Sequence, residues 1–382
     1  MKRPVSRRDF LKIAGVGLGA VAFKPFDFEA LYEKFYIPRR LPQFPNSEII
    51  GRLVDDTDLR SLPNNDPILN TSIGIVKADT CIPWQREVLG NAVGLANQKY
   101  LETEQGYIWS SRVQPTRNIP NTPITQMPPG QSGFWVEVTV PYIDLALEGT
   151  PASPWMLDHI KYNFQPRVYY GQVIWIDQIR QNNGFVEYRW NEGADGHGYG
   201  YGAYGEFFWL DGAGVKVLTD EDVSPISPNI DPNEKKIVAD INYQTLSCFE
   251  GSTEVFFCRI ASGQKYDATG AVSDTLATPV GDMSAWWKII SKNMTAGNAQ
   301  AGYSTPAVPW CTFISGEGVA IHGAFWHNDF GERRSHGCIN VTPEDAKWIF
   351  RWTTPYISVV QSEQRLSFPD HGTPITVNEL TA

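Results

Sequence analysis

Glycine and proline punctuate this chain so often that little room is left for long helices. There are 33 glycines and 27 prolines among 382 residues, and few of the stretches between them carry a helical period. Short strands joined by turns, as in sandwiches and small barrels, are what such a pattern builds. The fold class is therefore mainly β. A 42% hydrophobic share with 13% aromatic residues is ample for folded cores, and the length allows two or three domains.

Chemistry concentrates between His322 and Asn340, where three of the six histidines, one of the five cysteines and three glycines fall together. Cys338 follows His336 and Gly337, so main-chain N–H groups can approach a carbonyl under attack by the thiol, and His322 lies upstream as a candidate base. That is a nucleophile, a base and an oxyanion site. The alternative reading is a buried structural cysteine with two core histidines.

The run Ser335-His336-Gly337-Cys338-Ile339-Asn340, with His322-Gly323 before it, resembles the signature of the L,D-transpeptidases (YkuD-type catalytic domain). Ala261-Ser262-Gly263, Thr278-Pro279-Val280-Gly281 and Pro309-Trp310 extend the resemblance over roughly residues 234–378. It implies a β-sandwich catalytic domain at 231–382 with Cys338 as nucleophile and His322 as base. The Gly323 carbonyl would hold the other ring nitrogen of His322, the N–H groups of Gly337 and Cys338 would form the oxyanion site, and Ser335, His336 and Asn340 would complete the motif, Asn340 holding the loop. A free thiol ionises near ~8.5, and an imidazolium partner would lower that value. The implied reaction opens a peptidoglycan stem peptide at its third residue, releases D-alanine through a cysteine thioester, and passes the acyl group to a second stem as a 3→3 cross-link. Water as acceptor would make an L,D-carboxypeptidase, and attack on an existing cross-link an endopeptidase. Papain-like wall endopeptidases place their Cys before their His, the reverse of the order here. A non-catalytic wall-binding protein would need a degenerate motif, and no expected position is missing. No cofactor is implied.

The start of the chain reads as a twin-arginine export signal over residues 1–22: Arg7-Arg8 precede an uncharged run at 13–23 that is too short for a stable bilayer span. Export to the cell envelope follows, with the twin-arginine translocase as a partner and a membrane tether if the signal is not cleaved. Loss of residues 1–22 removes a net +4 and takes the chain from −10 to −14, a balance that disfavours nucleic acid and anionic membranes. Cys81, Cys248, Cys258, Cys311 and Cys338 lack CxxC spacing, so no metal site is expected. Cys248 and Cys258 flank the 250–253 turn asymmetrically, and no disulfide is expected between them.

Residues 23–48 read as a loosely packed Pro- and aromatic-rich leader with a short helix near 27–35. Residues 49–118 resemble a bacterial SH3-like barrel, either a wall-binding module or a rigid spacer. Residues 119–230 open with a Pro-rich linker and read as a second β domain, SH3-like with an insertion; Asn182-Asn183-Gly184 signals a hairpin within it. Gly200 to Gly205 spell G-x-G-x-x-G, but a strand-like run follows where a dinucleotide fold needs a helix. The loop around His197 reads as an aromatic cover. Residues 225–232 read as a linker, 236–242, 244–249 and 254–261 as strands, and 285–309 as a lid over Cys338. Thr342-Pro343-Glu344-Asp345 announces a helix start just behind the nucleophile. His159, His327 and His371 receive no role. If residues 49–230 only space the active site, a fragment from about Pro232 onward is expected to fold and act on soluble donors.

Overall fold

A computed structural model describes residues 28–194, 205–266, 271, 272, 274–296, 303–367 and 369–379. The expected export signal, the tip around His197 and most of the Gly200 to Gly205 run lie outside the described residues. The chain is mostly β, with three α-helices among the described residues: α1 (Phe28–Tyr36), α2 (Pro154–Tyr162) and α3 (Pro343–Trp352).

The first module sets a three-stranded sheet, with Ile50–Leu53 between Cys81–Pro83 and Val113–Thr116, against a five-stranded one. Leu53, Leu101, Ile108 and Val113 fill the space between them. The second module is a six-stranded sheet with a two-stranded ribbon beside it. Asn183 and Gly184, both at positive φ (48° and 83°), turn Val173–Asn182 into Phe185–Asn191 as the Asn-Gly pair predicts. The insertion is α2, capped by Ser153, whose side chain accepts from the Met156 N–H.

The leader, expected to pack loosely, and the Pro-rich linker are both docked. On the helix of the leader, Leu31, Phe35 and Tyr36 share one face; Phe35 is fully buried in the second module's core and Leu41 and Phe44 pack beside it. The Leu41 N–H also reaches Asp211 Oδ2 over 3.1 Å. Burying that aromatic face outweighs the chain entropy a solvated leader would keep. Likewise, in the Pro-rich stretch Ile119 donates to Thr139 O and Asn121 to Ala213 O, so it runs along the second module as an ordered border.

The last domain is a sandwich of two five-stranded sheets. One contains β1 (Lys235–Asp240), β2 (Thr245–Glu250), β3 (Thr253–Arg259), β4 (Gly281–Ser284) and β10 (Pro374–Asn378), in the order β3-β2-β1-β10-β4. The other contains β5 (Trp287–Ala296), β6 (Tyr303–Phe313), β7 (Ala320–Gly323), β8 (Ile339–Val341) and β9 (Glu363–Arg365), in the order β8-β7-β6-β5-β9. Ile237, Leu246, Ile290, Trp310, Ile321 and Ile339 meet between them, and Ala346, Ile349 and Phe350 of α3 complete the core. Thr342 caps α3 by accepting from the Asp345 N–H, with Pro343 in the first turn. Cys248 stands opposite Phe256 and Cys258 opposite Leu246, so the two thiols are out of register, and both are free and buried.

The segment 285–309, expected as a lid over Cys338, is regular where it is described. It is most of a long antiparallel hairpin, β5 and β6, whose outer residues Met294 and Thr305 line the cavity that holds Cys338. The linker at 225–232 is not free either: Ile226 donates to Arg351 O, and its carbonyl accepts from the buried Lys235 Nζ at 3.0 Å. Trp135, Val173, Leu218 and Val223 of the second module lie inside the same core as the sandwich. Excision of the last domain, which the sequence reading expects to fold alone, would uncover that shared apolar surface.

Candidate active site

Topology brings the two ends of the motif together. β7 and β8 are adjacent and parallel, with His322 opposite Asn340. Parallel neighbours lie about 4.8 Å apart and rise about 3.3 Å per residue, so a residue two positions before Asn340 sits on the order of 8 Å from His322 between Cα atoms. That residue is Cys338. Both side chains line one cavity of about 440 Å³, with Gln264, Trp326, Arg334 and His336 among its other walls.

His322 is 2% exposed. Its Nδ1 lies 3.3 Å from the Gly323 carbonyl oxygen. A carbonyl only accepts, so Nδ1 carries the proton and Nε2 keeps the lone pair a base requires. Burial lowers the His322 pKa to about 4, against a smaller upward pull from the Gly323 carbonyl. Gly323 cannot be larger without displacement: a Cβ there would come within 2.9 Å of Pro343 Cα and 3.0 Å of Pro309 Cγ. The absent side chain lets the start of α3 close on the back of β7.

Burial also pushes the Cys338 thiol up, to about 11, with the Ala320 N–H pulling weakly the other way. Burial thus favours a neutral thiol and a neutral imidazole in this cavity, against the lowering by imidazolium that the sequence led us to expect. The reason is desolvation, which penalises the charged form of each partner.

The loop bearing the thiol is pinned from both sides. Arg334 and Ser335 both donate to Ser262 O, and Gln264 donates to Ser335 O. Thr278 Oγ1 accepts from the Gly263 N–H at 2.8 Å and donates to Gly337 O at 2.9 Å. Gly337 sits at φ 116°, a conformation that favours glycine. Ser335 Oγ donates to Cys338 O and accepts from the Gly337 N–H at 3.2 Å. The Gly337 N–H, one donor of the expected oxyanion pair, thus carries a 3.2 Å bond to Ser335 Oγ in this structure. His336 is exposed at the cavity rim.

His327, given no role from the sequence, is 1% exposed and central to the loop. Its Nδ1 accepts from the Asp329 N–H at 3.2 Å, and its Nε2 lies 2.9 Å from the Asn340 side-chain amide. The Asn340 atom at that distance is Nδ2; the Asp329 N–H takes the one lone-pair nitrogen of a neutral imidazole, so Nε2 carries the proton and the Asn340 amide must be turned to offer it Oδ1. Burial, then the Arg334 charge, lowers the His327 pKa to about 3. Asn340 thus ties the strand after the nucleophile to the loop after the base. Two further anchors come from the first module: Asn328 Nδ2 donates to Ser110 O and Val113 O at 3.1 and 2.9 Å, and Arg52 reaches Phe325 O. Position between His322 and Cys338 was the only sequence signal for His327, and Arg52 had none.

Residues 234–377 match the family model of the L,D-transpeptidase catalytic domain, YkuD. A curated relative, L,D-transpeptidase 2 of Mycobacterium tuberculosis, is 39% identical over 72 residues, which cover 18% of this chain and 17% of the relative. The chain thus spans less than a fifth of that relative's length. Among solved structures, an L,D-transpeptidase from Mycobacterium smegmatis is 18% identical, with a TM-score of 0.30 and 53% of this chain and 98% of that one covered. The catalytic domain of the E. faecium L,D-transpeptidase is 23% identical, with a TM-score of 0.28 and 38% and 98% covered.

Proposed function

We propose that this chain uses the L,D-transpeptidase catalytic domain matched at residues 234–377 to join peptidoglycan stem peptides by 3→3 cross-links in cell wall biogenesis. The observation that carries the reading is the shared cavity of Cys338 and His322, with the His322 tautomer set by the Gly323 carbonyl.

In this mechanism both groups start neutral. As Sγ attacks the carbonyl carbon of the third stem residue, its proton passes to His322 Nε2, so no free thiolate accumulates in water. The Cys338 N–H faces the oxygen that gains charge. The tetrahedral intermediate collapses, the amine of the departing D-alanine takes the proton from His322, and an acyl thioester on Cys338 remains. The amine of a second stem then attacks the thioester, His322 accepts its proton, and the thiol is restored as the new amide forms. Catalysis needs no cofactor.

The reading extends to the rest of the chain. Arg7-Arg8 support export by the twin-arginine translocase to the cell envelope, with a tether if the signal stays in place. The two N-terminal β modules are read as SH3-like. Incubating the full chain with disaccharide tetrapeptides and resolving the products by mass spectrometry tests the reaction. Dimers linked through two third residues with loss of one D-alanine are expected. Tripeptide alone would make the enzyme an L,D-carboxypeptidase instead.

A further inference from the structure

One wall of the cavity carries a cation that the reaction above leaves unused. Arg334 stands four residues before Cys338 and lines the same cavity. Its side chain is one-third exposed, and its Nη1 pairs with Oδ2 of Asp329, whose own side chain is almost fully buried. That pairing holds the guanidinium from behind. Nε and Nη2 take no hydrogen bond among the described residues, and these two N–H edges form the fork that matches a carboxylate. Among the described residues of the cavity wall, Gln264, Met294, Thr305 and Trp326 carry no charge, and Arg334 is the one Arg or Lys. The chain as a whole carries −10, so an anionic peptide gains little from long-range attraction and needs a local partner.

We infer that Arg334 selects acyl donors by binding a carboxylate of the peptide through paired N–H···O bonds, an assignment that rests on the transpeptidase reading above. Asp329 offsets the charge at a distance, so the selection operates at contact. Two carboxylates of a stem peptide share this chemistry: the C-terminal one of the departing residue and the one borne by a residue within the stem. Fixing either beside Cys338 sets which carbonyl meets the thiol.

The test uses the full chain and three synthetic donors: free acid throughout, C-terminal carboxamide, and amidated stem carboxylate. Wild type, Arg334→Gln and Arg334→Lys are compared by kcat and KM, with iodoacetamide labelling of Cys338 as a readout that needs no peptide. The expected result is a KM at least tenfold higher for Arg334→Gln on the free acid, labelling unchanged, and no further loss on whichever amide removes the bound carboxylate. That amide names the source. Arg334→Lys, which keeps the charge without the fork, should recover part of the affinity, and it carries the test if Arg334→Gln does not fold. Equal losses on all three donors, or no loss on any, would overturn the assignment. A wild type that turns over none of them would instead remove the transpeptidase reading.

Discussion

Arg52 Nη2 donates to the carbonyl oxygen of Phe325 over 2.6 Å, joining residues 273 positions apart. Phe325 lies on the loop between His322 and Cys338, so the first module touches the proposed catalytic machinery directly. The same guanidinium, 2% exposed, donates to Gln114 Oε1 at 2.7 and 3.0 Å and to Asp79 Oδ1 at 2.9 Å. Its Cζ lies 4.1 Å from the Tyr169 ring centre. Asp79 in turn accepts from Arg167 Nη1 of the second module at 2.6 Å. Three modules therefore converge on one ion network, buried at Arg52 and partly exposed at Asp79 and Arg167.

Arg52→Met should loosen that loop. Breaking a buried hydrogen-bonded charge network costs about 3–5 kcal/mol, so a lower Tm and faster amide exchange across 324–334 are expected, with kcat falling more than KM rises. Unchanged exchange in that loop would show that the junction does not hold it. Asn328→Ala, which removes only the bonds to Ser110 O and Val113 O, should do the same to a smaller degree.

A fragment from Pro232 to the end should aggregate, contrary to what the sequence suggested. It would leave the core around Trp310 and Ile290 without Trp135, Val173 and Leu218. A soluble, cooperatively melting fragment with full turnover would contradict the shared core.

The contrast between these expectations follows from what is local in sequence. The proposed nucleophile and base and the cap of α3 are written locally, each within a few residues: Ser335 to Asn340, His322-Gly323, Thr342 to Asp345. The hairpin of β5 and β6 was hidden because Pro306 and Pro309 break its alternation, and Ala307 and Trp310 adopt positive φ angles of 55° and 57°. Lys235 and Lys288 are fully buried beyond the end of α3, where Lys288 Nζ donates to Phe350 O, Thr353 O and Pro355 O. No pattern marks a lysine that will bury to satisfy helix carbonyls. Docking contacts such as Arg52 to Phe325 depend on three modules folding together, and no single segment encodes them.

Thr342→Ala removes the side chain that accepts the Asp345 N–H at 3.1 Å. Loss of such a cap costs about 1 kcal/mol, so a lower denaturation midpoint with nearly normal turnover is expected. A midpoint equal to wild type would show that the cap contributes nothing.

The pH profile separates a neutral pair from a pre-formed ion pair. His322, lowered to about 4, and Cys338, raised to about 11, are both neutral across the middle of the range. Turnover should be level from about pH 6 to 9, and alkylation of Cys338 should still be rising at pH 10. The depressed histidine also gives a stability slope. The unfolded chain binds a proton near ~6.5 and the folded one only near 4, so stability is present above 6.5 and is lost as pH falls toward 4. His327, lowered to about 3, adds to the same slope. Alkylation that levels off near pH 6 would indicate thiolate and imidazolium in the resting enzyme.

The central claim is that Cys338, served by His322, forms the acyl-enzyme. Intact-protein and peptide mass spectrometry after incubation with a carbapenem, across wild type, Cys338→Ser and His322→Ala, tests it directly. The account predicts one acyl mass on Cys338 in wild type, none in Cys338→Ser, much slower adduct formation in His322→Ala, and none on the buried Cys311. Full acylation of Cys338→Ser, or an adduct on Cys311, would contradict it.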